Sequence, residues 1–324
     1  MDYKIDEKDR KIISQLDKNS RATDSQIAKE VGLSKQVVSY RIQNLEKNKI
    51  LLNYHTILDV ATLGLSTNYI FLQLQKINKK QEEELLEKIN KLDYIGWLTT
   101  SLGRWDVFLS IYSKNIEQYN YFLNELLEIC GDYIHEYEQI THISSVQTTY
   151  KSGLKEQNFE SIEQTSNKDK VQLNKIEKNI LIEISQNAKK SIVEISNNLK
   201  IPVHTINYHL KKLLKNKIIT GFKTKIDVSK LGYSWYSLMI KFDKSTPQRQ
   251  HEFISYCKKH KQIYYITHTI GIYNSTLDIH VKTPREFREV LFELKEKFSD
   301  LIKIYETALL FDEIKINYIP KTLL

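Results

Sequence analysis

Laid over itself at an offset of 168, the sequence repeats without a gap. Lys47-Asn48-Lys49-Ile50 falls on Lys215-Asn216-Lys217-Ile218, Asp59-Val60 on Asp227-Val228, and Leu63-Gly64 on Leu231-Gly232. Further on, Gly103 meets Gly271, Tyr137-Glu138 meets Tyr305-Glu306, and Tyr150 meets Tyr318. Matches spread over such a length constrain the fold more than any local propensity, because whatever one copy forms the other must form too. With 324 residues the chain also exceeds what one hydrophobic core usually serves.

Each copy divides again by the period of its apolar residues. In the first, Ile12, Ile13 and Leu16 mark one helix, Ile27, Ala28 and Val31 a second, and Val38, Ile42 and Leu45 a third. After Gly64 the period shortens. Ile70, Leu72 and Leu74 alternate, a helix follows over Glu82 to Leu92, and strands are expected at Ile95 to Leu102 and Trp105 to Tyr112. A helix near Ile116 to Cys130 and a strand within His135 to Tyr150 complete the order βαββαβ, the split plait of ferredoxin-like domains. The second copy repeats that order after Leu238, Ile240 and Phe242, with helices opened by Pro247 and Pro284. The fold class is α+β, with expected boundaries at 1–53 (trihelical head), 54–150 (plait), 151–172 (polar linker), 173–221 (second head) and 222–324 (second plait). A flexible linker of 22 residues has a root-mean-square span of about 26 Å, enough to let the copies fold onto each other.

Composition removes several function classes. Hydrophobic residues make up 41% and charged residues 27%, and no apolar run approaches a membrane helix, so no membrane partner is expected. The start, Met1-Asp2-Tyr3-Lys4-Ile5-Asp6-Glu7, is polar and acidic, unlike a secretory signal, which places the chain in the cytoplasm. With 9 glycines and neither a P-loop nor GxGxxG, nucleotide cofactors have no sequence to rest on, and no cofactor is expected. Cys130 and Cys257 are too few and too far apart for a disulfide scaffold or metal clamp and read as reduced core thiols. His251, Cys257 and His260 offer one Cys-x-x-His without a second ligand pair, so no metal is expected either.

Within the first head, Thr23 to Ser34 reads as helix, glycine-containing turn and capping serine, the arrangement of a helix-turn-helix. The following helix, Lys35 to Lys47, buries Val38, Ile42 and Leu45, which turns Lys35, Gln36, Ser39, Tyr40, Gln43 and Asn44 outward. Arg41 either supports the helix or grips the phosphate backbone. In the second copy the equivalent helix, Val203 to Lys215, offers His204, Thr205, Asn207, Tyr208, His209, Lys211 and Lys212. Such side chains donate to phosphates or reach base edges, and a helix has the width a major groove admits. Residues 173–225 carry eleven lysines against three glutamates, a net +8, equal to the formal charge of the whole chain. Residues 1–53 carry +3, so the remainder is −3 and the positive excess sits on the heads. That distribution suits a polyanion, and without RRM- or KH-like motifs double-stranded DNA is the expected partner.

At this point the chain resembles a known family. Asp6-x-x-Asp9, Leu16 to Arg21, Ile27-Ala28-x-x-Val31-Gly32-Leu33-Ser34, Arg41-Ile42-x-x-Leu45-Glu46, Ile50 and Leu63-Gly64 look like the head of the Lrp/AsnC (feast/famine) transcriptional regulators. The resemblance implies a winged helix-turn-helix followed by a βαββαβ ligand-sensing domain called RAM. Ordinary members carry one such unit and dimerise through the RAM sheets, so two units in one chain imply an internal pseudo-dimer or a homodimer. The second head departs from the pattern, with Lys200-Ile201-Pro202 in place of Gly32-Leu33-Ser34 and His209 in place of Arg41, so equal base preferences are not expected. The loop Gly103-Arg104-Trp105-Asp106 is similar to the family's Gly-x-x-Asp loop beside an amino-acid effector, where Arg and Asp would pair with an α-carboxylate and an α-amine. Gly-x-x-Asp is equally good hairpin chemistry. Its counterpart, Gly271-Ile272-Tyr273-Asn274, has Asn for Asp and no cation, and so suits a charged effector less. Thr99, Thr100 and His268 could line the same cleft, although strand threonines and a single histidine are ordinarily structural, and Tyr264, Tyr265 and Tyr273 read as packing.

An enzyme is the competing reading. Sirohaem decarboxylases resemble the same head-plus-plait architecture, and fold alone does not exclude catalysis. Such an enzyme would need His, Tyr and Arg side chains facing the plait cleft, and neither Gln75 to Lys80 nor Asp243 to Pro247 supplies that cluster. A third reading, heads that only mediate assembly, is opposed by the basic second head.

Overall fold

The computed structural model describes residues 4–150, 161–165, 170–185, 187–317 and 320–324. In chain order the elements are α1 (Glu7–Lys18), α2 (Asp24–Val31), α3 (Lys35–Lys47), β1 (Leu51–Leu58), β2 (Ser66–Leu74), α4 (Lys79–Lys91), β3 (Ile95–Leu102), β4 (Val107–Ser113), α5 (Ile116–Cys130), β5 (Ile134–Thr148) and β6 (Ser161–Thr165). They continue with α6 (Lys175–Ser185), α7 (Ile192–Leu199), α8 (Val203–Lys215), β7 (Ile219–Ile226), β8 (Ser234–Phe242), α9 (Pro247–Lys259), β9 (Ile263–Gly271), β10 (Ser275–Val281), α10 (Pro284–Lys297) and β11 (Ile302–Ile316). Tyr318 and most of the polar connection lie outside the described residues. Within that connection β6 forms a strand beside β5, so the segment read as linker is structured in part.

Two compact units result, and they do not coincide with the two copies. One gathers both heads, over Met1–Asp59, Thr148–Ile162 and Gln172–Tyr233. The other gathers both plaits, over Val60–Gln147, Glu163–Val171 and Ser234–Leu324.

In the head unit, capping boxes fix the starts of α1, α2 and α7. Asp6 and Asp9 form a reciprocal box on α1, Thr23 and Gln26 on α2, and Ser191 and Glu194 on α7. Ile12, Leu16, Val38 and Leu45 are fully buried in the first head, and Ile180, Ile195, Ile206 and Leu213 in the second. The strand after each head does not fold back as a private wing. Instead β1 and β7 pair antiparallel with each other, from Leu51 opposite Ile226 to Leu58 opposite Ile219. A buried ion pair reinforces the joint: Lys223 Nζ lies 3.1 Å from Asp17 Oδ2 and donates to the Thr148 carbonyl at 3.0 Å. The Tyr150 amide donates to the same Asp17 oxygen at 2.8 Å. One copy back from Lys223, at an offset of 168, stands His55, whose imidazole is pushed down to about 3 by burial and by Lys223 and Lys225 and is therefore neutral.

In the plait unit each copy has the ferredoxin-like strand order, β5-β2-β4-β3 in the first and β11-β8-β10-β9 in the second. β5 and β11 are 15 residues long, whereas the plait strands they pair with, β2, β3, β8 and β9, have eight or nine. Each starts beside its own plait and ends beside the other, β5 passing from β2 to β9 and β11 from β8 to β3. Eight strands therefore close into an antiparallel ring. Alternate side chains face outward under the helices, where Ile70, Leu98 and Leu109 meet α4 and α5, and Leu238, Ile266 and Leu277 meet α9 and α10. The other set faces inward, and Phe71, Trp105, Phe108, Met239 and Tyr273 form a third cluster there. Cys130 and Cys257 are both buried, and burial pushes the Cys130 thiol up to about 12.

The turn after the second helix of each head requires a left-handed residue. Gly32 takes it at φ +65° in the first head, and Lys200 takes it at φ +55° in the second. A side chain in that region costs about 1–2 kcal/mol. Lys200→Gly is expected to stabilise the head unit by about 1 kcal/mol, seen as a higher urea midpoint at unchanged slope.

Candidate nucleic-acid interface

The helix-turn-helix of each head is set by its buried face. Val38, Ile42 and Leu45 anchor α3, and Ile206, Leu210 and Leu213 anchor α8. Ser34 starts α3 by accepting the Val37 amide at 3.3 Å, whereas α8 is opened by Pro202 without a side-chain cap. On α3 this leaves Lys35, Gln36, Tyr40 and Gln43 exposed, with Ser39 and Asn44 half-buried. On α8 it leaves His204, Tyr208 and Lys211 exposed, with Thr205 and Asn207 half-buried. Tyr40 and Tyr208, 66% and 64% exposed, occupy the same position of the two helices.

Three residues counted from sequence among the DNA-contact candidates, Arg41 with its two possible roles and the outward candidates His209 and Lys212, are engaged within their own head. Arg41 Nη1 lies 2.8 Å from Asp6 Oδ2 and 2.8 Å from Asp9 Oδ1, and these hydrogen bonds, Asp9 foremost, hold its pKa above the usual guanidinium range. In the second head His209 Nδ1 lies 3.2 Å, and Lys212 Nζ 2.7 Å, from Glu177 Oε1. Of the two roles open to Arg41, support of the helix is the one its contacts describe. The signal was present in the repeat, because the same offset that sets His209 on Arg41 sets Glu177 on Asp9. A buried acid under the recognition helix is thus built twice with different cations. Burial pushes the Glu177 carboxyl up, but hydrogen bonds from Lys212, the Asn174 backbone and His209 outweigh it and keep the group below its ordinary 4.5.

The loop Gly103 to Asp106, expected from the resemblance to lie beside an effector, also differs from a simple open site. Arg104 Nη1 lies 2.9 Å from Glu306 and Nη2 3.0 Å from Glu136, with the guanidinium 4.5 Å above the Trp105 ring. Trp105 is fully buried and donates from Nε1 to the Tyr273 hydroxyl at 3.2 Å, which donates to Glu306 Oε2 at 2.7 Å. Asp106 Oδ2 accepts the Leu74 amide at 2.6 Å, and Asn274 Oδ1 accepts the Phe242 amide at 2.9 Å, the same contact one copy on. A Cβ on Gly103 would meet the Thr307 carbonyl at 2.9 Å, and one on Gly271 the Gln139 carbonyl at 2.8 Å. Both glycines are required by the crossing strands β11 and β5, and both Asp106 and Asn274 tie down a strand end. Thr99 is buried with its hydroxyl on the Asp312 carbonyl at 3.1 Å, and His268 is half-buried.

The sequence pattern of winged helix-turn-helix DNA-binding domains matches residues 5–51 and 173–220, one stretch in each head. An uncharacterised HTH-type transcriptional regulator of Pyrococcus furiosus is 27% identical over 150 residues, 46% of this chain and 95% of that protein. The HTH-type transcriptional regulator Ptr1 of Methanocaldococcus jannaschii is 31% identical over 121 residues, 37% of this chain and 80% of that protein. The chain belongs to the Lrp/AsnC family of transcriptional regulators. It carries the head-plus-RAM unit of that family twice, and each plait above is one RAM domain. The crystal structure of the sirohaem decarboxylase NirDL matches the whole length, 98% of this chain and 96% of that one, at TM-score 0.62 and 14% identity. At that identity the likeness is one of fold, tandem arrangement included. No helix among the described residues is long and apolar enough to cross a membrane.

Because the folded-state pKa of Glu177 is lowered, its contribution to stability is complete above about 4.5 and is lost as pH falls through the folded value. Glu177→Gln should therefore flatten the acid limb of a thermal-melting profile below pH 5 while lowering stability at pH 7.

Proposed function

We propose that the chain is a double-stranded DNA-binding transcriptional regulator, not an enzyme, whose two unequal heads read two unlike half-sites. The observation that carries this reading is the pair of solvent-open helices, α3 and α8, in one compact unit whose heads are joined by the β1–β7 ribbon. One presents neutral groups, Gln36 and Gln43. The other presents His204 and Lys211 at the same positions. Amides suit bidentate contacts to adenine, and an ammonium suits guanine O6/N7 or phosphate. Half-sites about one helical turn or a multiple apart, without palindromic symmetry, follow from two heads held in one chain.

Family membership supports the same reading, since the relatives above are named as transcriptional regulators. An amino-acid-like effector at Gly103 to Asp106 would have to take Arg104 from Glu136 and Glu306, so control through that loop would work by breaking this ion-pair bridge between the two RAM domains.

The test is fluorescence anisotropy with genomic duplexes across a salt series. Lys211, exposed on α8, should carry phosphate or base contact directly, so Lys211→Ala is expected to weaken binding and to reduce the log–log salt slope by about 0.9. Lys212→Ala should act mainly by loosening the second head, because its ammonium already serves Glu177. No complex in dilute buffer, or an unchanged slope with Lys211→Ala, overturns the assignment.

A further inference from the structure

We propose that the closed ring of strands in the RAM unit binds a small organic ammonium compound on its inner face, at Asp278, between the rings of Trp97, Trp235, Tyr69 and Tyr265. The inference is independent of the DNA reading. It starts from the alternation of β10. Leu277, Ile279 and Val281 pack under α9 and α10, so Asp278 faces the other plait from the middle of a core strand. Its cross-strand neighbours are Ser237 on β8 and Tyr265 on β9. Across the ring β2 sends Tyr69 inward, β3 sends Trp97, and β11 sends Glu313, which stands opposite Thr99. Trp97 and Trp235 approach to 6.2 Å between ring centroids, Tyr69 meets Trp97 edge-on at 6.4 Å, and Trp97 Nε1 donates to Glu313 Oε1 at 2.9 Å.

Three features distinguish this end of the inner face from the apolar cluster beside it. First, Phe71, Trp105, Phe108 and Met239 are closed to solvent, whereas Tyr69, Trp97, Trp235, Tyr265, Asp278 and Glu313 all keep accessible surface. Second, no cation among the described residues lies within ion-pair distance of Asp278. Burial, and after it the charge of Glu313, pushes the carboxyl up to about 8 against the indole of Trp235. Third, the buried Trp235 indole nitrogen faces Asp278, which sets an aromatic ring directly beside the acid. An acid held among aromatic faces and lacking a cation suits an ammonium, whose arrival displaces the carboxyl proton to solvent and which then meets charge on one side and ring quadrupoles on the others. Anions are disfavoured by both carboxyls. The duplication does not demand the acid, since Ser110 stands one copy back from Asp278.

All three tryptophans of the chain lie in this unit, two of them in the proposed walls, so intrinsic fluorescence reports occupancy directly. The full chain is titrated with n-butylammonium, cadaverine and tetramethylammonium, and with butyrate and n-butanol as anionic and neutral controls. At least one cation should shift the emission saturably while neither control does. Asp278→Asn, which replaces a mostly protonated buried acid by a neutral isostere, should fold and should weaken that cation at least tenfold. Glu313→Gln provides a second variant, expected to weaken it several-fold. No saturable response to any of the three cations, an equal response to butyrate, or parental affinity in folded Asp278→Asn overturns the proposal.

Discussion

The structure depends on main-chain hydrogen bonding by β5 and β11 to two sets of partners. Each of these strands is long enough to pair with its own RAM domain over its first half and with the other over its second. An open four-stranded plait would expose two edges, and an exposed edge is a template for wrong pairing. Exchanging the strand ends removes the edges and makes each copy complete the other. The cost is steric: the β3–β4 and β9–β10 hairpins must approach the crossing strands so closely that Gly103 and Gly271 have no room for a side chain. A glycine that the family pattern associates with an effector is thus also a packing requirement of the ring.

The heads use the same device on a smaller scale. β1 and β7 are each other's partners, and the Asp17–Lys223 pair with its hydrogen bonds to residues 148 and 150 locks one side of the joint. On the other side a neutral His55 stands where the repeat would put the lysine. Duplication therefore supplies the geometry of a twofold dimer while each copy remains free to change its charges. Asp9 with Arg41 corresponds to Glu177 with His209 and Lys212, Gln43 to Lys211, and Ser110 to Asp278. A homodimer cannot separate such positions, because one codon serves both halves.

Much of the fold was legible before any coordinates. β3 runs over the residues its alternation indicated, Ile95 to Leu102, and α5 runs from Ile116 to Cys130, because a periodic apolar face survives into the core unchanged. The short strand β6 was not legible. Its residues, Ser161 to Thr165, are polar and carry no period, and they become a strand only because β5 offers a free row of main-chain groups.

What the sequence determined by itself was the unit and its multiplicity: three helices, a split plait, and the same again 168 residues later, since those depend on local periodicity and on self-similarity. Tertiary structure alone decided how the copies divide into compact bodies, which gathered heads with heads and RAM domains with RAM domains. It also decided which charges are spoken for. Arg41, Lys212 and Arg104 look from sequence like groups awaiting a ligand, yet carboxylates brought from other elements hold them. The physical reason is common to both. Periodicity tells a side chain which way to face, whereas its partner is chosen by strands and helices that meet only when the chain has closed.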